Sequence, residues 1–112
     1  MSHAIRAYQA SSGHRDLRAQ EADIFHQAIG GLRAARDAGP IQRVRALADN
    51  RRLWMVVVDL VRDPGNRLPE GLRAAIVSVG LAVHREMDAD QPDFTFLISI
   101  NENIAAGLRG VA

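Results

Sequence analysis

Cysteine and lysine are both absent from this 112-residue chain. Without cysteine there is no disulfide, no thiolate nucleophile and no cysteine-based zinc site. Without lysine there is no Schiff base, no lysine general base and no phosphate-loop lysine. All 14 basic residues are therefore arginine. Aromatic residues make up 4% of the chain, and no aromatic platform of the kind that stacks RNA bases is recognisable. Long apolar runs are missing too. The longest, Leu53-Trp54-Met55-Val56-Val57-Val58, is closed by Asp59, far short of the ~20 residues a membrane-spanning helix needs. The opening residues Met1 to Gln9 lack the apolar core of a signal peptide. These absences lead to the expectation of a soluble, cytoplasmic, non-membrane protein.

What remains is globular. Hydrophobic residues make up 47% and charged residues 24%, and the length suits one ordinary domain. The formal net charge is +1, which argues against nucleic-acid binding through bulk positive charge. The charge is nevertheless uneven. Residues 1–56 hold nine arginines against five acids, and residues 57–112 hold five against eight. Arg43, Arg45, Arg51 and Arg52 give part of the first half a cationic side, so a local contact with RNA or an acidic partner survives that argument.

Turn residues divide the chain. Ser11-Ser12-Gly13, Ala38-Gly39-Pro40, Asp63-Pro64-Gly65-Asn66 with Pro69, and the polar stretch Asp88 to Asp93 are breaks. The segments between them, Arg15–Asp37, Ile41–Arg62, Pro69–Met87 and Phe94–Leu108, have helical periodicity. Leu17, Ile24, Ala28 and Leu32 mark the first, Leu72, Ile76, Val79 and Val83 the third, and Phe94, Leu97, Asn101, Ile104 and Leu108 the fourth. In the second, Leu53 to Val61 is apolar nearly all round, which predicts a central helix covered on several sides. Gly30-Gly31 within the first segment and Gly80 within the third each cost about 1 kcal/mol against alanine. They imply close helix contact, a bend or an end. Short connections favour antiparallel neighbours. The expected fold is all-α, a small antiparallel bundle of four main helices over residues 15–112. Residues 1–14 form an N-terminal segment, docked or mobile, with room for a short helix around Ile5 and Tyr8.

Catalytic chemistry is hard to find. The four histidines show no i, i+4 pair, so no local metal site is written. Asp88, Asp90 and Asp93 resemble the start of a calcium loop, but Pro92 and Ser99 fall where ligands belong. No G-x-S-x-G frames a nucleophile. Asp59, inside the apolar stretch, reads as a surface carboxylate paired with Arg62 or Arg52. The expectation is a protein that is not an enzyme, with no cofactor, no metal and no small-molecule substrate.

One block carries more information. Asn50-Arg51-Arg52-Leu53-Trp54, then Asp63-Pro64-Gly65-Asn66, Leu68-Pro69 and Leu72-Arg73-Ala74 read as N-R-R-L-W … D-P-G-N-x-L-P-x-x-L-R-A. This resembles the bacterial flagellar biosynthesis regulator FlaF family. Ala7-Tyr8-Gln9 is similar to that family's opening, and Arg18, Glu21 and Phe25 to its first helix. Ile98, Ile100-Asn101, Ile104 and Gly107-Leu108 are similar to its closing pattern. The matches run in order along nearly the whole chain. Gly30-Gly31 departs from the pattern, where better helix formers are usual.

The resemblance implies a role in flagellin production and secretion, opposite the translational repressor FlbT. It implies an export chaperone that holds flagellin in the cytoplasm before type III secretion. Flagellin's terminal segments present amphipathic apolar faces before assembly, and a groove between helices suits them. The partner-facing candidates are Ile5, Tyr8, Arg51, Arg52, Trp54 and Met55, with Trp54 as an anchor or a core residue. The other family-matching positions have structural readings. Glu21, Phe25, Leu53, Leu72 and Leu108 lie on helices, Pro64, Gly65 and Asn66 set a turn, and Pro69 starts a helix. Arg73 is expected to pair with Asp63 or Glu70, and Asn50 and Asn101 to bond helix ends or each other. The alternative function is a post-transcriptional regulator acting on flagellin mRNA, with Arg51 and Arg52 in contact with RNA, or acting through FlbT.

Overall fold

Proline and glycine place the helix boundaries. The computed structural model describes the backbone of residues 17–110 and the side chains of residues 23–109. The expected N-terminal segment 1–14, with Ile5 and Tyr8, lies outside the described residues. Within them are α1 (Leu17–Arg36), α2 (Pro40–Arg62), α3 (Glu70–Met87) and α4 (Phe94–Gly110). Each expected boundary that falls on described residues is met within two positions. Gly39 is extended (φ −74°, ψ 171°) and Pro40 opens α2, where its missing N–H costs nothing. Pro69 is likewise extended (φ −54°, ψ 142°) and caps α3.

The turns are closed by side chains. The Gly65 N–H donates to Asp63 Oδ1 at 2.8 Å and the Leu68 N–H to Asn66 Oδ1 at 2.9 Å. The Asn66 N–H returns to the Asp63 carbonyl at 2.9 Å. These local bonds explain why Asp-Pro-Gly-Asn reverses the chain. Before α4, Asp93 Oδ1 accepts the Phe96 N–H at 3.0 Å, and Glu86 Oε2 accepts the Asp93 N–H at 2.8 Å. Asp93 is thus the N-cap of α4.

Cross-helix contacts fix the directions. Arg33 of α1 pairs with Glu102 of α4, and Arg109 of α4 donates to His26 of α1; the residue numbers run oppositely, so α1 and α4 are antiparallel. Phe25 meets Trp54, while Arg43 reaches the Arg36 carbonyl at 3.1 Å, so α1 and α2 are antiparallel as well. Arg51 pairs with Asp88, and Arg73 donates to the Val61 carbonyl, which reverses α3 on α2. Between α2 and α4 the numbers rise together: the Arg43 guanidinium lies 4.6 Å from the Phe94 ring centroid, and Trp54 bonds Asn101. The result is the expected up-and-down, all-α bundle.

The core is drawn from all four helices. Phe25, Ile29 and Leu32 come from α1, and Leu53, Trp54, Val57 and Val61 from α2. Ile76, Val83 and Met87 come from α3, and Phe94, Leu97, Ile98, Ala105 and Leu108 from α4. Each such large side chain contributes about 1.5–3 kcal/mol by leaving water. The Trp54 and Phe25 rings meet edge to face, 5.4 Å between centroids at 78°, the arrangement their quadrupoles favour.

One expectation, about α1, is revised. Gly30 and Gly31 neither bend nor end α1, which continues to Arg36, and a Cβ at either would meet nothing within 4 Å. They mediate no close helix contact among the described residues. The close contact belongs to Gly80, where a Cβ would sit 3.0 Å from Val58 Cγ2 and 3.4 Å from Trp54 Cε3. As expected, α2 is covered on several sides, by α1, α3 and α4. Met55 is 59% exposed and Asp59 is exposed, because α1, α3 and α4 leave one side of α2 to solvent.

Candidate partner-binding site

A chain of buried polar groups crosses the bundle at its centre. Trp54 Nε1 donates to Asn101 Oδ1 at 2.9 Å, Asn101 Nδ2 donates to Asn50 Oδ1 at 2.8 Å, and Asn50 Nδ2 points to Met87 Sδ at 3.3 Å. Asn50 and Asn101 are almost wholly buried. Of the two arrangements expected for them, they bond each other across the bundle. The chain joins α2, α4 and α3 in one layer. This placement corrects one candidate: Trp54 has no exposed surface, so it anchors the core and is closed to a partner docking on the outside.

The two candidate arginines are engaged. Arg51 bonds Asp88 at 2.9 Å, and Arg52 bonds Asp49 at 2.8 Å. Arg52 is therefore not the partner of Asp59, and no contact pairs Asp59 with Arg62 among the described residues. Arg73 meets Asp63, one of its two expected partners, through the backbone carbonyl. Its Nε donates to the Val61 carbonyl at 2.8 Å and its Nη2 to the Asp63 carbonyl at 3.3 Å, so it holds the C-terminal end of α2, where carbonyls lack helical partners. Among the described residues, no three acid or histidine side chains gather as a metal site would require.

Apolar side chains remain outside the core in two kinds of place. Ile41, Val44 and Met55 of α2 and Leu81 of α3 are the most exposed large ones, each near 60% or above. The other place is a groove between α1 and α2. Ile24, Gln27, Ala28 and Gly31 line one wall, and Ala46, Asp49, Arg52, Leu53 and Val56 the other. Its volume of about 460 Å³ lies within the range of roughly 300–1,000 Å³ common to ligand clefts. Small residues on both walls, Ala28 and Gly31 against Ala46, leave the space unfilled. The Asp49–Arg52 pair forms its charged rim. Of the partner-facing candidates among the described residues, the groove takes only Arg52; Met55 lies outside it. Sequence reasoning missed Ile24, Ala28 and Gly31 as a wall, although Gly-Gly in an otherwise sound helix was the available signal.

The family model described as flagellar protein FlaF matches residues 4–108. The chain belongs to the FlaF family. No curated protein and no solved structure matches it significantly. The FlaF match takes in the groove, α1 to α3 and α4 as far as Leu108. The positions that suggested the family are mostly architectural here. Phe25, Leu53 and Leu108 are buried, and Leu72 is partly buried against the core. Pro64, Gly65 and Asn66 form the α2–α3 turn, and Pro69 caps α3. Glu21 falls on α1, before the described side chains. No helix among the described residues is long and apolar enough to cross a membrane.

Proposed function

We propose that this FlaF-family protein is a cytoplasmic, non-enzymatic chaperone that binds a terminal helical segment of flagellin and promotes flagellin secretion and synthesis. The observation that carries the reading is the open apolar groove between α1 and α2, in a chain of a flagellar family. Ile24, Ala28, Leu53 and Val56 offer apolar contacts along two antiparallel helices, which suits an amphipathic helix with apolar residues at i, i+3, i+4 and i+7. An unassembled segment that folds on binding spends part of its interaction energy on ordering, so affinity stays moderate and the cargo can leave.

Size-exclusion chromatography with flagellin tests this. Full-length flagellin should co-elute one to one, and flagellin lacking its terminal helical segments should not. Val56→Glu in the groove should weaken the complex at least about tenfold, roughly 1.4 kcal/mol, while Leu81→Glu on the outer surface leaves it intact. Equal binding by truncated flagellin would remove the groove reading.

A second partner is favoured by a separate observation. Ile41, Val44, Met55 and Leu81 are exposed and do not line the groove, which supports a separate site for FlbT that cargo would leave free. Met55→Glu should then weaken a direct complex with FlbT and spare flagellin. The mRNA reading draws less support, because Arg51 and Arg52 are already paired with acids. A salt-sensitive RNA complex lost in Arg51→Glu/Arg52→Glu would restore it.

A further inference from the structure

The solvent side of α2 carries a stripe that the bundle leaves unused. Ile41, Arg45, Ala48, Arg52, Met55 and Asp59 are all exposed, and their spacing alternates four residues and three. That is the spacing of a seam between two packed helices, here about 27 Å long at 1.5 Å per residue. Two of its charges are unmatched. Arg45 and Asp59 have no ionic partner among the described residues, although Asp49 lies one turn from Arg45 and Arg62 one turn from Asp59. We propose that the occupant of this stripe is a second copy of the chain, packed antiparallel, α2 on α2, about a two-fold axis at Arg52.

The order of residues along the stripe fits that symmetry. Arg45 and Asp59 stand equally far on either side of Arg52, so an antiparallel pair sets each Arg45 against Asp59 of the partner subunit, twice over. A parallel pair would set arginine on arginine and aspartate on aspartate, which is repulsive. Ala48 and Met55 flank the same axis at nearly equal distance, so each flexible Met55 side chain falls on the small Ala48 of the partner subunit. Met55 is 59% exposed, and pairing takes that apolar surface out of water. Arg52 meets its own copy at the axis, but its guanidinium is held by Asp49 on the rim of the groove, so its charge is already balanced. A contact of one helix on one helix lies at the small, transient end of interfaces. The pair therefore forms as concentration rises and parts on dilution. It also covers Met55, so the dimer and an FlbT complex at that residue are alternatives.

Sedimentation velocity of the full chain from about 1 to 500 µM, without flagellin or FlbT, tests this. The weight-average mass should rise from one chain toward two. Met55→Glu should raise the dissociation constant at least about tenfold. Arg45→Glu and Asp59→Arg should each do the same, because each sets like charges together. The Arg45→Glu/Asp59→Arg chain should dimerise as the unsubstituted protein does. So should an equimolar mixture of the two single variants, because both arrangements restore opposite charges across the axis. All three side chains are exposed, so the substitutions leave the fold intact, with circular dichroism as the check. A monomer at every concentration, a dimer indifferent to Met55→Glu, or charge reversals that fail to rescue each other would overturn the proposal. Because neither flagellin nor FlbT is present, a failure of the chaperone reading leaves this result untouched, and the two fail separately.

Discussion

Asn50 and Asn101 show how a buried polar residue acts through its partners. Each asparagine both donates and accepts within the chain from Trp54 to Met87, so removing one strands a polar group in a dry core. Asn50→Leu or Asn101→Leu alone should cost about 1–3 kcal/mol in urea denaturation. The double variant should cost less than the sum, because the second change removes an acceptor or donor already orphaned; a coupling of about 0.5–3 kcal/mol is expected in the cycle. Strict additivity would mean that the two asparagines act independently. Arg73 offers a second residue-scale test. Its guanidinium holds two carbonyls at the end of α2, and bonds from a charged donor are each worth about 1.5–3 kcal/mol when well shielded. Arg73 is partly buried, so Arg73→Ala should cost about 1–2 kcal/mol by thermal denaturation at the lower end of that scale.

Glycine has opposite meanings in two helices. Gly30→Ala should stabilise the protein by about 1 kcal/mol, since the new Cβ meets nothing and the helix gains propensity. Gly80→Ala should destabilise it by about 1–3 kcal/mol, because the Cβ would press on Val58 and Trp54 where α3 crosses α2. Thermal melts of the two variants should move in opposite directions. From sequence the two positions look alike, and that marks the limit of what periodicity reveals. Helix extents were legible because Gly39-Pro40, Asp63-Pro64-Gly65-Asn66 and Pro69 punctuate strongly periodic segments. The turn residues, Phe25 and Leu108 followed from the same pattern. The solvent side of α2 did not, because a stretch apolar on every face names no inside. The Arg51–Asp88 pair, the Arg43–Phe94 contact and the Ile24–Ala28–Gly31 wall depend on which helices become neighbours, and local spacing does not encode that. Asp59 was misjudged for a related reason: helical spacing offered it Arg62 and Arg52, and Arg52 instead turned one turn back to Asp49.

For the whole molecule, shape outweighs charge. The Arg33–Glu102, Arg51–Asp88 and Arg52–Asp49 pairs are all substantially exposed, so each is worth about 0–1 kcal/mol. Raising NaCl to about 1 M, where screening acts within about 3 Å, should shift the melting midpoint by no more than a few degrees. A large loss would show that these pairs, not the shared core, hold the helices together. The unequal charges of the two sequence halves are drawn together here by Arg33–Glu102 and Arg51–Asp88, which bring basic first-half residues onto acidic second-half ones. Finally, the position of Trp54 makes the molecule its own optical gauge. It is the one indole in the chain, shut away from water beside Phe25 and Asn101. Its fluorescence should be blue-shifted in the folded state and move to the red only when that junction opens. The groove does not include Trp54, so, on the proposed chaperone function, a tryptophan-free cargo segment should bind in spectral silence. Unfolding can then be followed with cargo present, and the rise in stability with cargo concentration yields the affinity directly.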